Sequence, residues 1–433
     1  MGLTSVFADV FGQVQAAREI AIAGLLILVI DLALFVFFAS RAAMLQARYG
    51  NFTRTLLDAS YLKWERAVLG RLYAEDVFTL CGNRYVAIRR VAPRDLRTPR
   101  IGNDALKFCD LVVLKGAKIA ERESEYSAEG RAYLQYAKQR RIVRDPERLG
   151  FEPLHWNLHS DGPLVELGVS RFRDTVATEA ALRWEMYEQY AHGANATEVV
   201  LPLRVKLNLI GSAIPYSRPG FRPMLSVKAL SVLVQDGIPK LVVMKRSDEV
   251  ASYQGFWQFP PAGSMEVFGI VEEDDPDELR NHSDPGASLR REFIEELFGV
   301  DEWQAAKDET FTSLETSPKG ERLRQAFEGG SASVTFMGIV ADTVTLRGEL
   351  SFLILVHNAK WELRRGVEAR SELQVKTFAE VASLLSRDGL HLDPASAALL
   401  RLAIDSGALE EAGILTRAET VQLFDGEEYS EPK

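Results

Sequence analysis

The segment between Asp284 and Gly299 places the strongest constraint on how this chain can fold. Asp284 can cap a helix that begins at Pro285, and Gly299 can end it in a left-handed conformation, so the sequence predicts a helix over residues 285–298. At about 100° per residue, apolar side chains fall on one side of this helix and three carboxylates gather on the other. The two sets are Leu289, Phe293, Ile294 and Leu297, and Glu292, Glu295 and Glu296.

Three carboxylates on one narrow helical stripe repel one another. A cation has to compensate this charge, and a hard divalent ion such as Mg²⁺ suits oxygen ligands on a rigid helix. Acidic stripes also occur on the solvated faces of amphipathic surface helices. The neighbouring sequence therefore has to decide between a metal site and an ordinary surface.

The residues before the helix favour the metal site. Residues 255–266 read GFWQFPPAGSME, an aromatic strand end that runs into a loop rich in proline and glycine. This order resembles the Nudix hydrolase superfamily, whose box reads GX5EX7REUXEEXGU, with U a bulky apolar residue. In order, the residues similar to its first glycine, RE pair, apolar position and EE pair are Gly263, Arg291, Glu292, Phe293, Glu295 and Glu296.

The chain departs from this box in three ways. Between Gly263 and Arg291 lie 27 residues, 14 more than the pattern contains. The sixth position after Gly263 is Gly269 instead of glutamate, and the final glycine of the box is displaced by one residue because both Leu297 and Phe298 precede it. The box is thus recognisable but divergent.

The resemblance implies Mg²⁺-dependent hydrolysis of a nucleoside diphosphate linked to another group, with Mn²⁺ as the alternative ion. It also implies roles for the matching residues. The Gly263 carbonyl and the carboxylates of Glu292, Glu295 and Glu296 are expected to ligate metal. Glu292 is also the candidate general base, and Arg291 is expected to orient the glutamates by charge-assisted hydrogen bonds.

The missing box glutamate needs a replacement. The candidates are Glu266, the inserted residues Glu272 and Glu273, and Glu372 from a later loop. Of these, Glu266 and Glu372 are added to Arg291 and Glu292 as the predicted catalytic residues.

Residues 224–405 are predicted to form a Nudix-like α/β/α sandwich with a mixed sheet. Strands are expected over residues 226–234 and 241–245, joined as a hairpin around Asp236-Gly237, and over residues 334–340 and 350–357. Helices are expected over residues 378–386 and 394–404.

An apolar run over residues 20–40 predicts a transmembrane helix, because its 21 residues span roughly 31 Å, the thickness of a bilayer core. A cleaved signal peptide and a buried core helix are the alternatives. Arginines lie mainly after the run, so a single-pass membrane protein with its later domains facing the cytoplasm is expected. Asp31, inside the run, is either a tolerated polar residue or a site of pairing in a homo-oligomer.

The remaining parts are less constrained. Residues 1–19 form a leader, residues 41–214 a cytoplasmic α+β region of unknown fold, residues 215–223 a linker with three prolines and a glycine, and residues 406–433 an acidic tail. Two cysteines indicate a reducing compartment, and the net charge of −10 predicts no nucleic-acid partner.

Three functions are compatible with these features. The first is a membrane-anchored Nudix-type hydrolase acting on a nucleotide-type small molecule, with the bilayer contacted through residues 20–40. The second is a non-catalytic nucleotide-sensing membrane effector with a degenerate Nudix domain, which the stretched box and lost glutamate favour. The third, an adaptor without a ligand, leaves the mutual repulsion of the three glutamates without a use.

Overall fold

The computed structural model describes residues 30, 40, 43–44, 47–102, 104–116, 125–140, 143, 148–158, 163–247, 253–267, 276–299, 317–357 and 372–425. The chain divides into two compact units, Met1–Arg54 and Thr55–Lys433. In the first unit, residues 47–54 are helical, and the rings of Tyr49 and Phe52 meet edge to face at 6.3 Å.

The elements that position the candidate site lie in the second unit. Its strands are β1 (Val77–Leu80), β2 (Asn83–Val91), β3 (Val112–Gly116), β4 (Leu149–Trp156), β5 (Val165–Arg171), β6 (Ser226–Gln235), β7 (Ile238–Lys245), β8 (Trp257–Gln258), β9 (Ala262–Ser264), β10 (Ala332–Asp342), β11 (Gly348–His357) and β12 (Glu372–Thr377). Its α-helices are α1 (Ala59–Leu72), α2 (Ala128–Gln139), α3 (Phe172–Ala191), α4 (Pro202–Lys206), α5 (Pro276–His282), α6 (Pro285–Glu292), α7 (Pro318–Glu328), α8 (Phe378–Asp388), α9 (Pro394–Asp405), α10 (Ala408–Glu411) and α11 (Arg417–Thr420).

The main sheet is mixed, as predicted. Its order is β1-β2-β10-β11-β6-β7-β12, with β8 paired to β7 and β9 paired to β6. Strands β11 and β6 run parallel, whereas β6 and β7 form an antiparallel hairpin. Asp236 and Gly237, at the turn of this hairpin, have φ of 53° and 78°, the left-handed values that a two-residue turn of this kind requires. The hairpin prediction is confirmed.

Helices cover both faces of this sheet. On β6, Val227 and Ala229 face the core to which α6 adds Leu289 and the helical turn that follows it adds Phe293. Their neighbours on the same strand face the opposite core, which α8 and α9 complete; these neighbours are Leu230 and Val232. Side chains of a strand alternate between faces, so β6 is apolar on both sides and contributes to two cores. A three-layer arrangement with α6 on one side results.

The region before residue 215 contributes to the same sheet. Strand β2 pairs with β10, with Arg90 opposite Ile339, while β3, β5 and β4 form a separate three-stranded sheet. In the predicted linker, Phe221 is fully buried, and the Ser217 N–H donates to the carbonyl of Pro153 at 2.7 Å. The limits predicted for the domains remain predictions, but strands from both sides of the predicted linker share hydrogen bonds.

The predicted transmembrane helix requires a correction. Among the described residues, no helix is long and apolar enough to cross a membrane. Helix α3 reaches 20 residues but carries Asp, Glu and Arg along its length, and a span needs about 20 predominantly apolar residues. This finding contradicts the predicted fold with a membrane helix and the single-pass membrane localisation. Apart from Ile30 and Ser40, residues 20–40 lie outside the described residues, as do the predicted leader and Asp31.

Gly338 provides a test of the junction between β2 and β10. It lies at a β-bulge with φ of 143°, and a Cβ there would lie 2.1 Å from the Arg90 carbonyl oxygen. We expect G338A to lower the free energy of unfolding by about 2 kcal/mol, because a left-handed backbone is strained by a side chain and the strands must separate. Equilibrium urea denaturation measures this loss, and an unchanged midpoint would contradict the assigned pairing.

Glu65 on α1 provides a test of how burial affects the ionisation of a polar side chain. Burial raises the pKa of Glu65 to about 7, and Asp342 adds to the shift while Tyr61 and Arg183 oppose it. The unfolded chain releases this proton near pH 4.5, so this group makes stability fall as pH rises from about 4.5 to about 7. We expect E65Q to remove a component of roughly 3 kcal/mol from the pH profile of unfolding. A pH profile of unfolding identical to that of the wild type would contradict the raised pKa of Glu65.

Candidate active site on the acidic helix

The start of α6 and the end of the longer helical segment that continues it match the sequence prediction, although α6 itself ends at Glu292. The Asp284 carboxylate accepts hydrogen bonds from the N–H of Gly286 at 3.0 Å and of Phe108 at 2.8 Å. Gly286 lies so close to the segment around Leu106 that a Cβ at Gly286 would stand 1.7 Å from the Leu106 carbonyl oxygen. Gly299 ends the helical segment with φ of 67°.

The helix changes its geometry where the glutamate pair lies. Residues Phe293–Leu297 form a π-helical turn that continues α6. A π turn accommodates one more residue than an α turn and occurs often at functional sites. The chain also has one residue more than the Nudix box between its EE pair and final glycine, namely Phe298. We interpret the π turn as the local accommodation of this extra residue.

Arg291 ties the helix to the loop before it. Its side chain is 3% exposed, and its Nη2 donates to Glu292 Oε1 at 2.7 Å and to the Ser264 carbonyl at 2.9 Å. Nη1 donates to the Glu266 carbonyl at 3.1 Å, and Nε lies 4.0 Å from Glu295 Oε1. Arg291 thus contacts two carboxylates of the helix and two carbonyls of the loop.

Gly263 allows Glu292 to approach the loop closely. It lies on β9 opposite Val227 of β6, which fixes its backbone within the sheet. A Cβ at this position would lie 2.0 Å from Glu292 Oε1 and 2.1 Å from its Cδ. Side chains other than hydrogen would therefore displace the Glu292 carboxylate.

Glu296 is held by the same loop. Its Oε2 accepts a hydrogen bond from the Ala262 N–H at 2.8 Å, and its Oε1 accepts one from Gln258 Nε2 at 3.3 Å. Burial raises the pKa of Glu296 to about 8, with the Glu292 carboxylate adding to the shift, while the Ala262 N–H and nearby cations oppose it. Two carboxylates are thus close enough for each to disfavour ionisation of the other.

The replacements predicted for the missing box glutamate lie in different places. The backbone of Glu266 belongs to the Arg291 contacts, but its carboxylate lies 3.2 Å from Arg148 Nη1. Glu372 is exposed at the start of the edge strand β12, where it contacts Gln374. Glu272 and Glu273 lie outside the described residues. The structure therefore brings together Gly263, Arg291, Glu292, Glu295, Glu296 and the backbone of Glu266.

The donor atoms of this site are of the kind that a divalent cation takes. Carboxylate oxygens of Glu292 and Glu296 with the carbonyl oxygen of Gly263 are the hard ligands that Mg²⁺ prefers. In the described arrangement these carboxylates are held by protein donors instead. Within the described parts of the chain, no three Asp, Glu, His or Cys side chains stand close enough together to hold a metal ion.

Sequence reasoning missed two donors to Glu296. Gln258 lies in the aromatic run before the helix, and its amide bridges Glu296 and the guanidinium of Arg246. The Ala262 N–H, as a backbone group, carries no sequence signal. A polar residue between Trp257 and Phe259 was the available sign that this strand end serves the site.

Comparisons with known proteins give matches to solved structures alone. No protein-family model matches the chain, and no curated protein does. The NUDIX domain of Shewanella oneidensis NrtR, complexed with ADP ribose, is 12% identical over 48% of this chain and 98% of its own, with a TM-score of 0.25. A NUDIX hydrolase from Alicyclobacillus acidocaldarius is 14% identical over 45% of this chain and 98% of its own, with a TM-score of 0.28.

A mutT/nudix family protein from Listeria innocua is 17% identical, and the match covers 45% of this chain and 99% of that one with a TM-score of 0.21. At TM-scores this low, the matches decide nothing about the fold or activity of this chain. Both have to be inferred from its own residues.

Proposed function

We propose that this chain is a Nudix-type hydrolase that cleaves a nucleoside diphosphate linked to another group, with Mg²⁺ or Mn²⁺ as cofactor. The observation that carries the proposal is the buried Arg291 guanidinium, which links Glu292 to the carbonyls of Ser264 and Glu266. This contact holds the loop that contains Gly263 against the acidic helix, although an insertion separates the two in sequence. The Nudix-like domain is assigned to residues 224–405.

The proposed roles are those that the resemblance to the Nudix box implies, and the contacts of Arg291 support them. Glu292, Glu295, Glu296 and the Gly263 carbonyl are the proposed ligands of the cation, which neutralises the diphosphate and activates water when bound. Glu292, whose carboxylate lies against Gly263, is the proposed general base or ligand. Arg291 orients the carboxylates and does not contact substrate.

Glu266 is the better of the two described replacements for the missing glutamate. Its backbone already lies at the site through Arg291, and its side chain is 13% exposed beside Arg148. Glu372 lies on the exposed sheet edge and remains a second proposed catalytic residue.

A second candidate function is nucleotide binding without turnover. The protein donors that hold the carboxylates favour it, because Ala262 and Gln258 occupy both oxygens of Glu296. In such a site the fold is retained, but the carboxylates accept hydrogen bonds from the loop instead of ligating a catalytic cation.

The test uses the full chain with Mg²⁺ and a panel of nucleoside diphosphate derivatives that includes a sugar-linked one such as ADP-ribose, beside E295Q/E296Q as control. Products are separated by chromatography, and ligand binding is measured by calorimetry. Turnover that requires both glutamates supports the hydrolase. Metal-dependent binding without turnover supports the second candidate, and neither binding nor turnover refutes both.

A further inference from the structure

Lys228 is a buried cation near the start of the largely apolar strand β6. It is 2% exposed on β6, and its Nζ contacts the Asp393 carboxylate, Ser396 Oγ at 3.3 Å and Glu349 Oε2 at 3.2 Å. An ammonium group taken out of water loses most of its hydration, and pairing with carboxylates often does no better than balance this loss. Stability alone therefore gives a weak reason for a lysine here.

Asp393 and Ser396 connect Lys228 to the loop before the acidic helix. Asp393 caps α9 by accepting from the Ala395 N–H at 3.2 Å, and its own N–H donates to the Trp257 carbonyl at 2.9 Å. Ser396 Oγ accepts from the Phe259 N–H at 3.2 Å. The start of α9 is thus hydrogen-bonded to the loop at two points.

The same loop is also bonded to β6. The Ala229 N–H donates to the Pro261 carbonyl and the Ser231 hydroxyl to the Pro260 carbonyl, both at 2.9 Å. Lys228 itself lies opposite Ala262 in the sheet. Residues 257–262, which we name the clamp loop, are therefore held between β6 and the start of α9.

The clamp loop delivers both donors that hold Glu296, the Ala262 N–H and the Gln258 amide. We propose that Lys228, acting through Asp393 and Ser396, is a positioning residue that fixes the clamp loop relative to Glu296 of the acidic helix. Its consequence for catalysis rests on the proposed hydrolase function, whereas its effect on the loop does not.

The test compares K228M, K228M/D393N and R204M in the full chain. The double variant removes the charges of Lys228 and Asp393 together and leaves the Glu349 carboxylate in place, and asparagine still caps a helix. Arg204 is a matched control, since it is fully buried and contacts Tyr73 and the carbonyls of Thr343 and Val344. Urea denaturation first establishes the stability of each variant.

Amide hydrogen exchange at Phe259 and Ala262 is the deciding measurement. We expect exchange at both amides to rise at least about tenfold in K228M/D393N relative to the amides of β11, the factor for loss of roughly one hydrogen bond. R204M should show no such selectivity. Exchange rates at both amides equal to those of the wild type, in a stably folded K228M/D393N, would overturn the proposal. If K228M does not fold, the double variant alone provides this test.

Kinetics add an independent readout. If the wild type hydrolyses a substrate, K228M/D393N is expected to lower kcat with little change in KM, because the clamp loop holds Glu296 and not the substrate. An unchanged kcat would count against the proposal. If the wild type hydrolyses nothing, the proposed hydrolase function fails, and hydrogen exchange still decides the role of Lys228.

Discussion

Replacing Gly263 with alanine is expected to lower the rate of Mg²⁺-dependent hydrolysis about 100-fold, the scale that follows from a displacement of about 1 Å at a reacting group. The added Cβ would lie 2.0 Å from Glu292 Oε1, so the carboxylate has to move. The atom that moves is the end of a flexible side chain, and we therefore expect little loss of folding stability. Steady-state kinetics and urea denaturation of G263A measure the two effects.

G50A is the matched control for this substitution. Gly50 lies in a helix, and apart from its chain neighbours and its own helix backbone, no atom of the described residues lies within 4 Å of the place where its Cβ would stand. We expect wild-type activity from G50A, since alanine favours helix. Full activity in G263A would show that the close approach of Glu292 to the loop has no part in hydrolysis.

Replacing Arg291 with methionine is expected to lower the free energy of unfolding by about 3 kcal/mol or more, the scale for removing one partner of a buried ion pair. Methionine fills a similar volume but leaves Glu292 and the carbonyls of Ser264 and Glu266 without their donor. Equilibrium urea denaturation measures the loss.

R324M is the matched control for Arg291. Arg324 is 54% exposed and pairs with Glu321 and Glu328 on the surface of α7, where ion pairs contribute little. We expect its unfolding midpoint to stay near that of the wild type. Equal midpoints for R291M and R324M would mean that Arg291 does not tie the acidic helix to the loop.

Local signals predicted local structure well. The carboxylate of Asp284 and the glycine at 299 set the ends of the helical segment, and Asp236-Gly237 set the hairpin, because each of these residues acts within its own turn. The pairing of β2 with β10 joins residues about 250 positions apart, and local sequence patterns do not predict contacts at such a separation. The mixed α/β character therefore followed from the pattern of elements. The predicted membrane helix was wrong for the described residues, and the contribution of the first half to the sheet was not predicted.

The site shows the same division. The stripe of Glu292, Glu295 and Glu296 is a prediction from α-helical spacing, whereas residues 293–297 form a π turn. The donors to Glu296 come from a backbone N–H and an amide brought close by tertiary packing. The position of Lys228 was informative in the sequence, because a single lysine within a largely apolar strand needs an ionic or hydrogen-bonding partner. The apolar run over residues 20–40 had the length of a membrane span, and the finding for the described residues does not support one.

Manganese binding measured by electron paramagnetic resonance tests the central claim most directly, namely that the glutamate stripe of α6 and its π turn holds a divalent cation. The full chain is titrated with Mn²⁺ beside E295Q/E296Q, and Mg²⁺ is added as competitor. We predict binding that Mg²⁺ displaces and that weakens at least about tenfold in E295Q/E296Q, as loss of two carboxylate ligands requires. Equal Mn²⁺ affinity in the two proteins, or no binding to the wild type, would contradict the claim.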